Sequence, residues 1–501
     1  MSTVVLAVDQ GSSSTRCVVF DPRLEPVAVA SRPLATTFPG PGRVEHDANE
    51  IADGVLSCMR QALARADADW PDVAGIGLAA QTETFVVWDA ATGEPLCPAI
   101  SWRDTRTSDW CEELRAASHE VEVRSVTGLP LEAAFTAPKL RWVLDEVPGA
   151  REAAASGRLL FGDVCCWLIW RLTGGAAHAT DPSMASRTML FDLAAGRWDP
   201  AMLELFGIPE PMLPAVAPTA GRLAVTDASI CGGTATVAAS IGDQQASLFG
   251  HGCVQSGQAK LTMGTGAFLW CNAGTSRPGS IPAGVVATCA WRLGADTSYA
   301  LEGFVPNAGA VTSWLRQLGA LGPDDWPSIR RGALADTSAA WCVPALFGLG
   351  TPTWLPIATA AFGALTADST GQHLAEAAMI GVVHQIADAI DAVRAGLASP
   401  LEVLRVDGGL TGNQSVLQAI ADLSAMRLER TTRAEVTARG AGALAGIGTG
   451  LWDEATLAAM PAQPGGTVEP CLAGHDQVAA RKAWRERLGQ VMWRTADGER
   501  P

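Results

Sequence analysis

"LAVDQGSSSTRCVVFDP", residues 6–22, passes from one apolar run into seven small polar or acidic residues and out again into a second apolar run. Apolar runs so close together read as the paired strands of a hairpin. In a tight reversal Gly11 gives the backbone room to turn, and successive N–H groups with the hydroxyls of Ser12, Ser13, Ser14 and Thr15 can converge on one anion. The same residue types also make ordinary turns. A phosphate suits such a nest, but Asp9 at its edge repels phosphate unless a cation stands between them, and magnesium would meet that need. The usual strand-to-helix nucleotide loops are absent. Lys139, Lys260 and Lys482 are the only lysines and none follows a glycine, which removes GxxxxGK[ST], and no GxGxxG follows a strand.

Outward from the hairpin, "EPVAVAS" (25–31), "DVAGIGLAA" (72–80) and "TFVVWDAATGEP" (84–95) read as further strands of a mixed sheet, with a helix over 47–66 between the first two. "QAKLTMGTGAFLWCNAG" (258–274) repeats the opening design: strand, a loop of Gly264, Thr265 and Gly266, and a return strand. Met379, Val383, Ile386, Ile390 and Val393 fall at helical spacing with Gly396 beyond them, which predicts a long helix with one face on a sheet. "LEVLRVDGGLTGNQSVLQAIADL" (401–423) gives a strand, Gly408 and Gly409, and another helix; "EVTARGAGALAGIGTG" (435–450) supplies a surface of small residues. The chain reads as two α/β domains, 1–248 and 249–487, meeting in "FGHGCVQSG" (249–257), with a frayed tail over 488–501.

Composition narrows the class. Hydrophobic residues make up 48% and charged residues 18%, as in a globular chain. A net charge of −16 repels a nucleic acid backbone. The twelve cysteines include no CxxC, which suits a reducing cytoplasm. No signal peptide is expected ahead of the first strand, and the apolar stretch 159–172 falls short of the roughly 20 residues that cross a bilayer, so no membrane partner is expected.

"SIGDQQASLFG" (240–250) is the second chemical candidate. An apolar strand ends by presenting Asp243, Gln244 and Gln245 ahead of a helix, where a carboxylate can take a proton from a hydroxyl substrate with Gln244 holding a neighbouring oxygen. A helix-capping Asp is the plainer alternative. The seven histidines form no HExxH and lie outside the polar loops, which weakens a zinc site or a Ser-His-Asp triad; His384 reads as a packed residue.

In order and spacing, "AVDQGSSSTRCVVFD", "GRVEHD", "QTETFVVWDAATGEPLCPAISWRDTRT", "TGLPL", "SRTMLFD", "IGDQQASLFGHG", "MGTGAFL", "EGFVPNAGAVTSWLR" and "RVDGGLTGN" resemble the FGGY carbohydrate kinases over nearly the whole chain, the glycerol kinases most closely. The resemblance implies an α/β fold of two ribonuclease-H-like domains, of the actin, hexokinase and Hsp70 type, flanking an ATP and substrate cleft. It implies MgATP, with Asp9 and Asp243 facing the metal. Gly11, Ser12, Ser13, Ser14 and Arg16 would form one phosphate loop and Gly264, Thr265 and Gly266 the other, and the nucleotide would also lie along Gly309, Val311, Thr312, Gly408, Gly409 and Asn413. Asp243 matches the catalytic base and Gln244 a substrate contact. A homo-oligomer is implied by likeness alone.

The substrate side departs from the pattern. Gln81, Thr82 and Glu83 keep the glutamate where the family carries Arg-Glu, and Ala134 stands where the family carries a tyrosine. Trp102 and Phe268 match the aromatic residues packed on the polyol's carbon edge. Phosphorylation of glycerol is the leading expectation, with a four- or five-carbon polyol or ketose the competitor and a non-catalytic, nucleotide-binding regulator the reading from another class.

Overall fold

In the computed structural model, which describes residues 3–323, 325–330, 332–431, 434–453 and 464–496, the opening stretch forms a hairpin of β1 (Val4–Gln10) and β2 (Ser14–Phe20), with Asp9 opposite Arg16 and Gln10 opposite Thr15. Strand β3 (Pro26–Pro33) extends it antiparallel. The chain then crosses through α1 (Ala48–Arg65). The Asp47 carboxylate caps this helix on the N–H groups of Asn49 and Glu50, and Ile51, Val55, Met59 and Leu63 are buried on one side. It returns as β4 (Val73–Ala80), parallel to β1, and later β5 (Thr236–Gly242) lies parallel to β4. The spatial order is therefore β3-β2-β1-β4-β5.

The second half repeats that order. Strands β6 (Gln258–Met263), β7 (Ala267–Gly274) and β8 (Asp296–Val305) run antiparallel in turn, while β9 (Val403–Asp407) and β10 (Leu428–Thr431) add in parallel on the other side of β6. The order β8-β7-β6-β9-β10 matches the first half element by element. The two halves join into one sheet of thirteen described strands through a single pair, Ala220 with Leu293, on strands added at the seam.

Helices α2 (Asp243–Gly250) and α6 (Val436–Thr449) cross at the seam, and α6 also covers β1, β4 and β5. Here the small-residue surface finds its use. A Cβ on Gly440 would lie 1.9 Å from the Ala246 carbonyl oxygen, so only glycine permits the contact. Helices α3 (Gly309–Gln317), α4 (Gly371–Ala395), α5 (Gln414–Ser424) and α7 (Gly474–Ala496) pack around the second half.

Three expectations need correction. Strand Phe85–Asp89 leaves the main sheet and joins a separate four-stranded one with Glu45–His46, Ala99–Ile100 and Leu159–Asp163, because a short continuous apolar run fixes a strand but not its partner. Helix α4 is buried on more than one face, since α5, α7 and the short strand Trp341–Val343 cover what the sheet leaves. Residues 488–496 continue α7 with Val491 buried, so the tail is not frayed there; 497–501 lie outside the described residues. His384 is packed, as expected: it stacks on Trp484 with ring centroids 5.0 Å apart. Among the described residues the cysteines form no disulfide, and no helix is long and apolar enough to cross a membrane.

Candidate active site

The parallel strands of the first half end together. Asp9 and Ile241 both flank Ala79, and Gln10 and Gly242 both flank Ala80, so the next residues, Gln81–Glu83 and Asp243, emerge beside the opening hairpin at the carboxyl edge of the sheet. Open α/β sheets bind ligands at that edge. The second half offers the same edge, where Thr262 pairs with Asp407 and the Gly264–Gly266 loop stands beside Gly408 and Gly409.

Asp243 is half-buried, and its Oδ1 accepts from the Gln244 N–H at 2.7 Å rather than from a deeper helix N–H. Burial, then the nearby charges of Asp9 and Glu83, push its carboxyl up to about 7. Asp9, also half-buried, is pushed to about 6, chiefly by burial. Lys260, wholly buried in β6, donates from Nζ to Gln244 Oε1 at 2.6 Å and to Thr262 Oγ1 at 3.0 Å. This fixes the Gln244 amide with its carbonyl committed and its NH2 left to donate. Burial lowers the Lys260 ammonium, and Asp407 and Asp243 oppose that effect.

Glu83 stands in the left-handed region at φ 61°, an unfavourable conformation for a glutamate. Its Oε2 accepts from Thr82 Oγ1 at 2.7 Å and its Oε1 from Arg187 Nε at 2.6 Å. Gln81 is buried, donating to the Gly11 carbonyl at 3.3 Å and accepting from Thr84 Oγ1 at 2.9 Å; Thr84 in turn receives the Trp102 N–H at 3.1 Å. The buried Lys139 ammonium ties the Ala134 carbonyl at 2.6 Å to the Ser101 carbonyl at 3.0 Å, so the two segments that carry Ala134 and Trp102 are pinned by one group. Burial pushes Lys139 down to about 7. Phe268 packs on Phe304 with centroids 4.8 Å apart.

The first loop departs from its expected rationale. Gly11 is absent from the positive-φ positions, and a Cβ there would meet the Ser14 carbonyl oxygen at an ordinary 3.5 Å, so the turn itself does not demand glycine. Thr15 points inward, donating to Gln10 Oε1 at 2.6 Å, while among the described residues no hydrogen bond engages the hydroxyls of Ser12, Ser13 or Ser14. Arg16 bonds Glu435 at 3.1 Å, tying the hairpin to the start of α6.

In the second half, the carbonyls of Gly264 and Thr265 receive the N–H groups of Gly309 at 2.9 Å and Ala310 at 3.0 Å, joining the loop to the start of α3, and Gly264 and Thr265 are exposed. Val311 and Thr312 are buried, with Val311 in the core and the Thr312 hydroxyl against Met379 Sδ at 3.9 Å. Their side chains therefore pack inward. Gly408 has φ 93°, and a Cβ there would stand 2.5 Å from the Met263 carbonyl oxygen; Gly409 is open. Asn413 is engaged structurally, with Oδ1 capping α5 at Ser415 and Val416 and Nδ2 donating to the Pro327 carbonyl at 2.6 Å. His251 Nε2 lies 3.1 Å from Asp407 Oδ2 beside these glycines; against burial, His251 and Lys260 hold Asp407 down at about 2.

Arg187, Glu302, Lys139 and the His251–Asp407 pair were not among the expected site residues. The signal available for the lysines was a lone ammonium in an apolar run, as in "QAKLTM" and "TAPKLRW", which calls for a buried partner.

Comparisons with known proteins agree with this geometry. Residues 4–250 match the N-terminal domain of the FGGY family of carbohydrate kinases and residues 259–449 its C-terminal domain. The chain is 41% identical to a glycerol kinase of Halorhodospira halophila over 498 residues, 99% of this chain and 98% of that one. It is 44% identical to a glycerol kinase of Citrifermentans bemidjiense over 458 residues, 91% and 92% of the two chains. The fold superposes on the crystal structure of Plasmodium falciparum glycerol kinase with ADP at a TM-score of 0.90 and 27% identity, covering 98% of both chains. On a xylulose kinase from Rhodospirillum rubrum the TM-score is 0.84 at 21% identity, covering 99% and 100%, a likeness of fold alone. With both family domains matched in order across a duplicated sheet and its shared edge, the chain belongs to the FGGY family of carbohydrate kinases, which are phosphotransferase enzymes.

Proposed function

We propose that this enzyme transfers the γ-phosphoryl group of ATP to a terminal hydroxyl of a small polyol, with glycerol as the leading substrate. The observation that carries the reading is Asp243: a carboxyl held near 7 at the strand edge, next to an amide that Lys260 has turned outward. A group poised near the working pH accepts a proton with little penalty. In the reaction the polyol O–H bond breaks, its proton passes to Asp243, the freed oxygen bonds to phosphorus, and the bond to the β-phosphate oxygen breaks to leave ADP. Phosphoryl transfer asks for alignment more than for a strong base. Gln244 and Glu83 orient hydroxyls, and the aromatic faces of Trp102 and Phe268 confine the carbon chain.

Magnesium fits the same edge. Asp9 and Asp243 concentrate negative charge that burial leaves poorly compensated, and no described cluster of three or more His, Cys, Asp or Glu side chains could hold a metal unaided. That donor set suits an ion that keeps water and phosphate oxygens as its other ligands. When bound, it would neutralise phosphate charge. The open serine hydroxyls of 12–14 and the Gly264–Gly266 loop, exposed at Gly264 and Thr265, would receive phosphate oxygens from the two halves.

The test is ADP release from MgATP with glycerol, dihydroxyacetone, erythritol, ribitol, xylulose and ribulose, beside an Asp243→Asn control. Highest kcat/KM with glycerol supports the reading. A longer substrate winning would assign Thr82 and Ala134 to an enlarged pocket, and nucleotide binding without stimulated ADP release would favour a regulator.

A further inference from the structure

The guanidinium of Arg187 is held from several sides beside the site. It is 6% exposed, with Nε on Glu83 Oε1 at 2.6 Å and Nη1 2.8 Å from Glu302 Oε2, and its centre lies 5.4 Å from the ring centroids of both Phe135 and Trp270. Against burial, the two carboxylates hold it more firmly protonated than usual. Nη1 is sealed from solvent and meets Glu302 as an ion pair without hydrogen-bond geometry, whereas Nη2 is not sealed and makes no hydrogen bond among the described residues. Nη2 is therefore the donor of this clamp that a ligand can reach, while the rest of the guanidinium stays fixed.

The surroundings say what kind of group would fill it. Glu83 follows Thr82 in the segment that ends near Asp9, and each Glu83 oxygen receives one donor and keeps a second lone pair. Phe135, whose ring centroid lies 5.4 Å from the guanidinium, adjoins Ala134, a position that carries only a methyl group. A donor on Arg187 and an acceptor on Glu83, side by side, match a single hydroxyl group, which both donates and accepts.

We propose that Arg187 determines substrate specificity: its Nη2 donates to the same polyol hydroxyl whose proton Glu83 accepts. The proposal rests on the reading of this cleft as a polyol site. Glu302, from β8 opposite Trp270, holds the guanidinium from the second half of the chain, so the recognition of that hydroxyl depends on both halves.

The experiment uses the full-length enzyme with MgATP and three probes: glycerol, propane-1,2-diol and propane-1,3-diol, each diol lacking one hydroxyl. Arg187→Lys keeps the charge but loses the planar fork. Arg187→Met combined with Glu302→Gln removes the guanidinium together with one of the carboxylates it neutralises. The expected result is a rise in KM for glycerol of about ten- to a hundred-fold, the range of a lost hydrogen bond to a charged group, with a smaller change in kcat. For one of the two diols KM stays within about twofold of wild type, because the hydroxyl that Arg187 reads is already missing. Equal losses for glycerol and both diols would make Arg187 purely structural and overturn the proposal, as would an unchanged glycerol KM. If the double variant does not fold, the same comparison is decided by Arg187→Lys. Wild-type enzyme that releases no ADP with any probe would overturn the polyol reading itself, and this proposal with it.

Discussion

Asp243→Asn should destroy turnover and stabilise the protein, and the stabilisation should depend on pH. The carboxyl has an ordinary value of 3.8 and is held at about 7 in the folded chain, chiefly by burial, with Asp9 and Glu83 adding to it. A folded value above the unfolded one means that the folded state is favoured fully only below the ordinary carboxylate range, and that this stability is lost as pH rises through about 7. The rise from 3.8 to about 7 corresponds to about 4 kcal/mol at most, and the solvent reaching a half-buried side chain at a cleft edge reduces this to about 2 kcal/mol. The neutral, nearly isosteric Asn avoids that cost at every pH. Unfolding free energies from urea titrations, without nucleotide, should coincide for the two proteins near pH 3, diverge through neutrality, and stay about 2 kcal/mol apart in favour of the variant near pH 8. In parallel, glycerol-stimulated ADP release should fall by about a hundred-fold or more. A variant that is equally or less stable than wild type near pH 8, or one that keeps near-normal turnover, would refute the assignment of Asp243 as a strained base.

Lys260→Met removes the positive charge that lowers Asp243 and frees the Gln244 amide; the acid limb of kcat/KM for glycerol should move to higher pH and its plateau fall about tenfold, and a limb moving to lower pH would count against the arrangement. Gly408→Ala places a Cβ 2.5 Å from the Met263 carbonyl oxygen at φ 93°, so an unfolding titration should show a loss of about 1–3 kcal/mol. Gly409→Ala meets nothing within 4 Å and should leave that titration within about 0.5 kcal/mol of wild type while weakening ADP in calorimetry, the reverse pattern being the disproof. Arg16→Met breaks an ion pair whose arginine is 44% exposed, so its stability effect should stay under about 1 kcal/mol. A several-fold higher KM for ATP would identify Arg16 as a phosphate contact as well.

The opening hairpin and its counterpart were legible because each is local: two apolar runs and a polar reversal lie within residues 6–22, and again within 258–274. The carboxylates of Asp9 and Asp243 were legible for a related reason, each standing where an apolar strand ends. Partner choice was not. Strand Phe85–Asp89 is an apolar run like its neighbours and joins another sheet, because such a run records that a strand is buried and nothing about what lies beside it. Asn413 and Thr312 carry structural bonds that their motifs do not reveal: the amide caps α5 and the hydroxyl packs against Met379.

The counter-charges of the site were the least legible part, and they explain how an acidic chain can bind a nucleotide. With a net charge of −16, the protein has no broad basic field to attract phosphate. It has three lysines, and two of them, Lys139 and Lys260, are wholly buried around the cleft with their ammonium groups on Ala134, Ser101, Gln244 and Thr262. Arg187 is buried likewise between Glu83 and Glu302, residues 104 positions before it and 115 after it in the chain (187 − 83 and 302 − 187). Long-range Coulomb attraction does little for a phosphate in screened solvent, whereas a fixed charge in a poorly hydrated wall orients dipoles and carboxylates at full strength. Positive charge in this fold therefore acts mainly on the protein's own polar groups, setting the direction of the Gln244 amide, the seating of Glu83 and the path of the Ala134 segment. In the function proposed above, the residual negative charge at Asp9 and Asp243 would be met by a cation that arrives with the nucleotide.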